Sequence, residues 1–341
     1  MIHKDQYEDL ETKVDPRCKI IGNSFSIGQP YLNFIKQLRR QKRTTLIATS
    51  FVRMKYPLLK RSIVLICLQA SVLVSFAKPA LHVMTFNIRY NNPGDGPNAW
   101  PERKDKASSQ IAFHEADIVG LQEALAGQLE DLKTALPEYQ FIGGGRDDGK
   151  TKGEYSAILY KTTRLELLTT QTFWMSLTPN EPGSKGWDAA FPRIITWAKF
   201  KDRQTKKIFY AFNTHFDHMG KEARRESARL LLKAVDSIAG KTPAIITGDF
   251  NASPMDEPIQ VITDQSNPLH LLDTKALSQT GHYGPTGTFN NFESKETTNE
   301  PIDYIFLNGQ YQVLKHATLS QSWQGRFSSD HFPVFALIDL P

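Results

Sequence analysis

Two short polar islands constrain this chain more than any other feature: Thr247-Gly248-Asp249-Phe250-Asn251 and Ser328-Ser329-Asp330-His331. The first follows the apolar run at residues 243–246, and the second precedes the apolar run at 332–338. Each therefore stands where a β-strand meets a loop. Carboxylates are expensive to bury without a partner, so neither island is core material by itself. A divalent cation is the partner that suits both, because hard cations take oxygen ligands.

Strand-like runs cover residues 81–88, 118–121, 156–160, 194–200, 208–213, 244–247, 303–307 and 334–338. Helical spacing marks residues 104–113 and 222–238, and the face made by Leu125, Leu129, Leu132 and Leu136. Many short strands with few helices predict two stacked sheets with helices outside, since a doubly wound sheet needs more crossover helices. The polar residues at strand ends are Asn87, Glu123, Asp249, Asn251, Asp303, Asp330 and His331. Singly, each reads as a turn or cap residue. Together, at the ends of apolar strands, they read as one site.

The set Thr85-Phe86-Asn87, Leu121-Gln122-Glu123, Asn213-Thr214-His215, Gly248-Asp249-Phe250-Asn251, Ile302-Asp303-Tyr304 and Ser329-Asp330-His331 resembles the endonuclease/exonuclease/phosphatase superfamily in order and rough spacing. Within it, the chain looks closer to bacterial exported members related to deadenylase-like phosphodiesterases than to abasic-site repair enzymes. The resemblance spans nearly all of residues 81–340. It implies an α/β (α+β) fold: a four-layer αββα sandwich of two stacked, mostly antiparallel sheets, with a metal-dependent phosphoesterase site at one end. It further implies Glu123 as the main Mg²⁺ ligand, with Asn87 and Asp330 beside it and Mn²⁺ as the other suitable ion. Asp249 would orient or deprotonate the attacking water, and Asn251 would hold a phosphate oxygen. His331 would hydrogen-bond the phosphoryl group, with Asp303 fixing its ring from behind. His215 would make a second polar contact to the phosphate. Arg193, just before a strand, would stand close to the phosphate, and a solvated strand-edge arginine is the equal alternative.

Charge divides the chain. Residues 1–61 hold 13 Lys/Arg against 5 Asp/Glu, so the overall formal charge of +5 belongs to that segment and the remainder is slightly acidic. A backbone-tracking partner for duplex DNA is therefore not expected. Residues 54–61 form a charged lead-in, 63–76 a short apolar core, and Ser75-Phe76-Ala77 a small-residue cleavage pattern. Residues 54–77 thus read as a secretory signal, cut near Ala77/Lys78, that leaves a periplasmic or extracellular domain 78–341 without a permanent membrane anchor. Residues 1–53 read as a disordered extension or a misassigned start, with Met54 as the initiator. Cys18 and Cys67 both precede the exported part, which excludes a disulfide framework or a cysteine metal site there.

Residues 144–151 match the G-x-x-x-x-G-K-T phosphate-loop pattern, but a strand rather than a helix follows, so they are expected to form a rim loop. The spacing of His215 and His218 favours zinc less than the carboxylate-rich set favours Mg²⁺. Aromatic loops near Trp100, at Phe173-Trp174 with Trp187, and around Tyr283–Phe289 predict a walled pocket. The substrate expected is a phosphorylated small molecule of sugar, inositol or nucleotide type, or a short nucleic acid, handled by a monomer. The alternatives are a secreted nuclease acting on RNA or single-stranded DNA, and a non-catalytic binding module.

Overall fold

In the computed structural model, the described residues are 79–293 and 300–341. The expected signal segment and the extension before it lie outside them. Among the described residues, twelve strands form two six-stranded sheets. The first sheet has the order β11-β12-β1-β2-β4-β3 and the second β5-β6-β7-β8-β10-β9. In chain order the strands are β1 (Leu81–Asn87), β2 (Ile118–Ala124), β3 (Tyr139–Ile142), β4 (Tyr155–Lys161), β5 (Leu165–Trp174) and β6 (Ile194–Asp202). They continue with β7 (Ile208–His215), β8 (Ala244–Asp249), β9 (Leu272–Asp273), β10 (Asp303–Leu307), β11 (Gln312–Thr318) and β12 (Val334–Asp339). Pairing is antiparallel except at β1–β2 and β7–β8.

The helices are α1 (Trp100–Phe113), α2 (Ala126–Ala135), α3 (Lys221–Ala239), α4 (Glu257–Thr263) and the short α5 (Thr274–Leu277). Three apolar clusters define the layers. Met84, Phe86 and Leu121 pack on Ala107, Ile111, Leu129 and Leu132 of α1 and α2. Val83, Ile118, Ala211, Ile245 and Ile305 meet between the sheets. Ile246, Phe250 and Phe306 pack on Leu231, Leu232 and Val235 of α3. The order is therefore helix, sheet, sheet, helix, as the sequence patterns imply.

Strand parity aims the site. Because alternate side chains share a face, the inward set of β1 is Leu81, Val83, Thr85 and then Asn87 at the exit. In β8, Ile245, Thr247 and Asp249 follow the same rule. Deep between the sheets the two parities meet in polar groups rather than apolar ones. Gln122 Nε2 donates to Thr85 Oγ1 at 3.0 Å and to Asn213 Oδ1 at 2.7 Å. Asn213 Nδ2 donates to the Leu121 and Ala157 carbonyls, and Thr247 Oγ1 donates to Asn213 Oδ1. This network ties β1, β2 and β4 to β7 and β8, just below the ends that carry the islands. Only the Gln122 Oε1 of this network has no partner among the described residues, and the bonds that are made fix one sheet's position on the other.

Two local expectations need correction. Phe173-Trp174 closes β5 instead of standing in a loop, and Trp100 opens α1, with its Nε1 donating to Asp131 Oδ2 at 2.8 Å. Phe173-Trp174 belongs to a strand because Trp174 pairs with Ile194 at the end of the β5–β6 ladder. Its ring still pins the glycine-rich loop, donating through Nε1 to the Arg146 carbonyl. Residues 144–151 run without a helix into β4, as expected of a rim loop.

Candidate active site

A pocket of about 600 Å³ opens at the strand ends, and its lining includes Glu123, Arg193, His215, Asp249, Asn251, Asp330 and His331. Asn87 and Asp303 stand directly behind that lining. Asn87 Nδ2 donates to Asp249 Oδ2 at 2.9 Å and Glu123 Oε1 at 3.1 Å. Asp303 Oδ2 accepts from His331 Nδ1 at 2.9 Å. All nine residues expected at the site thus converge on one end of the sandwich.

The backbone is bent to aim them. The β2–β4 register shifts between Leu121 and Ala124, and Glu123 inside that bulge has φ +60°. Asn251 has φ +47° and Arg89, on the opposite wall, +53°. Left-handed backbone at non-glycine residues is uncommon and collects where geometry serves a site. Asn251 tolerates it best, its N–H donating to Asp249 Oδ1 at 2.9 Å.

Electrostatics separates the two histidines. Antiparallel register puts Asp303 directly opposite Asp249 on adjacent strands. Burial, and then the Asp303 charge, push the Asp249 carboxyl up to about 7. Burial alone would lower His331, but Asp303, Asp249 and Asp330 outweigh it and hold the imidazolium well above its ordinary range. His215 goes the other way, held neutral by burial and then by Arg193 and Arg146. Its Nε2 lies 3.0 Å from Asn251 Nδ2, which makes that ring nitrogen the acceptor.

Two carboxylates, Glu123 and Asp330, share the pocket's other wall. Asp330 is raised by burial and then, against the pull of His331, by Glu123. Arg89 lies 3.8 Å from Glu123 and 3.7 Å from Asp330, too far for a full hydrogen bond to either. Two carboxylates that share one arginine, each only loosely, suit a hard divalent cation. Asp249, Asp303 and His331 also offer atoms within 4.8 Å of one another. His331 Nδ1 donates to Asp303 Oδ2 at 2.9 Å, and its Nε2 lies 3.8 Å from Asp249 Oδ2, so the three side chains are linked through the His331 ring.

Sequence reasoning missed three supports. Arg103, on α1 and fully buried, donates to the carbonyls of Ile88, Arg89, Asn98 and Ser328. It joins the β1 exit to the loop carrying Asp330, with burial pulling its guanidinium to about 10. Asp217 accepts from the N–H groups of Ala190, Met219 and Gly220 and from Arg193 Nε at 3.3 Å. Gly120 lets the sheets approach beneath the site. A charged residue inside an amphipathic helix carried no signal for Arg103, whereas polar residues at inward parity could have flagged Gln122 and Asn213.

Asp217 gives a pH-dependent expectation. Burial would raise it, but the three N–H donors and Arg193 prevail and hold it at about 2. Its stability contribution is present above the unfolded value of 3.8 and lost as pH falls through about 2. Asp217→Asn should lose about 1–2 kcal/mol at pH 7. Thermal melts of both proteins should converge as the pH is lowered through that window; a gap independent of pH would assign the loss to packing.

Two stacked mixed sheets with a carboxylate, asparagine and histidine site at one end define a phosphoesterase of the helix–sheet–sheet–helix class. The chain belongs to the Endonuclease/Exonuclease/phosphatase family, whose model matches residues 84–331. A protein of Acanthamoeba polyphaga mimivirus, L388, is 31% identical over 254 residues, which is 70% of this chain and 92% of that protein. A Bacteroides vulgatus endonuclease/exonuclease/phosphatase structure is 43% identical, with TM-score 0.73, covering 76% of this chain and 99% of the other. The Bacteroides thetaiotaomicron mannosyl-6-phosphatase is 38% identical, with TM-score 0.72, covering 76% and 100%.

Proposed function

We propose that this enzyme hydrolyses the phosphate ester of a small phosphorylated metabolite, using Mg²⁺ or Mn²⁺. The observation that carries the reading is the buried Asp303–His331 pair with Asp249 beside it, His331 Nε2 lying 3.8 Å from Asp249 Oδ2, and Asn87 linking Asp249 to Glu123. The similarity to a mannosyl-6-phosphatase supports a sugar-type substrate.

Glu123, Asp330 and Asn87 would hold the ion, which supplies charge neutralisation at the phosphoryl oxygens. Asp249 takes the proton of the attacking water, and a carboxyl poised near 7 suits that task at neutral pH. His331 donates to a non-bridging oxygen as the water oxygen bonds to phosphorus. The bond to the alcohol oxygen breaks, and that oxygen takes a proton from solvent water as it leaves, while Asp249 returns the proton it took to solvent. Asn251 and neutral His215 position the phosphate, and Arg193, anchored by Asp217, supports it from the outer wall.

Export after cleavage near Ala77/Lys78 and action as a monomer complete the proposal; sequencing the N-terminus of the secreted protein tests the cleavage. For the chemistry, phosphate release from sugar phosphates should require added Mg²⁺ or Mn²⁺ and stop with chelator. Glu123→Ala should cut kcat by about 10²-fold or more and raise the metal concentration needed. Activity indifferent to chelator and to Glu123→Ala would end the metal reading.

A further inference from the structure

The described lining of the pocket carries three arginines, and each has its own carboxylate. Arg89 is held by Asp95 through two bonds of 3.1 and 3.2 Å, Arg146 by Glu154 at 2.7 Å, and Arg193 by Asp217 at 3.3 Å. Among these residues, positive charge is balanced rather than in surplus. A wall of this kind suits one phosphoryl group at the metal-side carboxylates and an uncharged remainder. It does not suit a run of phosphates, whose binding draws on uncompensated cations.

Arg146 is the most deliberately placed of the three. Its N–H donates to the Glu154 carbonyl at 3.0 Å, and its own carbonyl accepts from Trp174 Nε1 at 2.6 Å. Its guanidinium carbon lies 4.8 Å from the centroid of the Phe191 ring. The loop that carries it is built for closeness: Gly149 has φ +70°, and a Cβ there would meet the Trp174 ring at 2.9 Å. Arg146 Nη1 is used by Glu154, while its buried Nε has no hydrogen-bond partner among the described residues. That Nε faces the protein, and it is the partly exposed end of the guanidinium that stands beside the Glu154 carboxylate on the pocket wall, fixed before any ligand arrives. Adjacent donors and acceptors are what neighbouring hydroxyls of a polyol require, each being both donor and acceptor.

Resting on the phosphoesterase reading above, we infer that Arg146 and Glu154 form the subsite for the leaving alcohol and select a neutral polyhydroxylated one, a sugar or cyclitol, over a nucleotide chain. They are specificity residues that touch the alcohol, distinct from the groups around the phosphorus.

The test compares the full-length protein with Arg146→Met and Glu154→Gln on mannose 6-phosphate, glucose 6-phosphate, p-nitrophenyl phosphate and a short oligonucleotide, with calorimetric binding of the same sugar phosphates and of inorganic phosphate. Both variants should lower the ratio of kcat/KM for hexose phosphate to that for p-nitrophenyl phosphate about tenfold, mostly through KM. Both should also erase the binding preference for sugar phosphate over inorganic phosphate. Equal losses on all substrates, or an oligonucleotide preferred by the parent protein, would overturn the subsite. If the parent protein hydrolyses none of them yet binds sugar phosphate with a preference that the variants lose, the subsite stands and the hydrolytic reading falls. Glu154→Gln keeps the side-chain shape, so a loss confined to misfolded Arg146→Met would count against the pair.

Discussion

Asp249→Asn should abolish most activity and leave the protein more stable than its parent. The activity loss follows from removing the base, for which about 10²–10⁴-fold in kcat is expected. The stability gain follows from register, because Asp249 and Asp303 are directly opposed on β8 and β10, and like charges in that position destabilise a sheet. An asparagine keeps the shape but has one acceptor oxygen, so it keeps the bond from either Asn87 Nδ2 or the Asn251 N–H and loses the other, which offsets part of the gain. With chelator present, the sign is fixed by linkage. A carboxyl raised to about 7 holds its proton in the fold after the unfolded chain has lost it, so the parent loses stability between about pH 4 and 7. Asp249→Asn should remove that slope and gain about 1–3 kcal/mol at pH 7. Thermal melts across pH with chelator, beside initial rates with Mg²⁺, check both halves. A variant that is inactive and also less stable would mean that the carboxylate is structural.

Gly120→Ala should destabilise the fold strongly, because it adds a methyl group between the two sheets. A Cβ at Gly120 would lie 2.1 Å from Thr247 Oγ1 and 2.5 Å from Asn213 Oδ1, atoms of the opposite sheet. Neither can retreat freely, since both belong to the network that joins Gln122 to the β7–β8 pair. Overpacking typically costs about 1–3 kcal/mol, and here broken buried hydrogen bonds add about 1–3 more. A fall in melting temperature of about 5 °C or more is expected, together with a larger activity loss than stability alone explains, because the strand ends above would shift. A melting temperature within about 1 °C of the parent would show that the sheets can part at no cost.

The strands absent from the sequence reading have a common position. β3, β5, β9 and β11 are the four edges of the two sheets, whereas the eight inner strands were all legible. Inner strands are buried on both faces and read as apolar runs. An edge strand such as β5, with Thr169, Thr170 and Gln171 exposed, carries no such run and exists because β6 offers it a ladder. The site divides in a similar way. Its residues are local in the sequence, since each follows from an apolar run that ends in a polar one. The supports from Arg103, Asp217 and Arg146 are not, because their partners lie on other elements.

By itself, then, the sequence determined which residues stand at strand ends and which side of each strand faces inward, since both depend on a two-residue period. Only the tertiary structure decided which ends meet. That Asp303 faces Asp249, that one histidine is charged and the other neutral, and that each pocket arginine has its own carboxylate are consequences of register and burial. Those depend on interactions between residues far apart in the chain, to which local periodicity is blind.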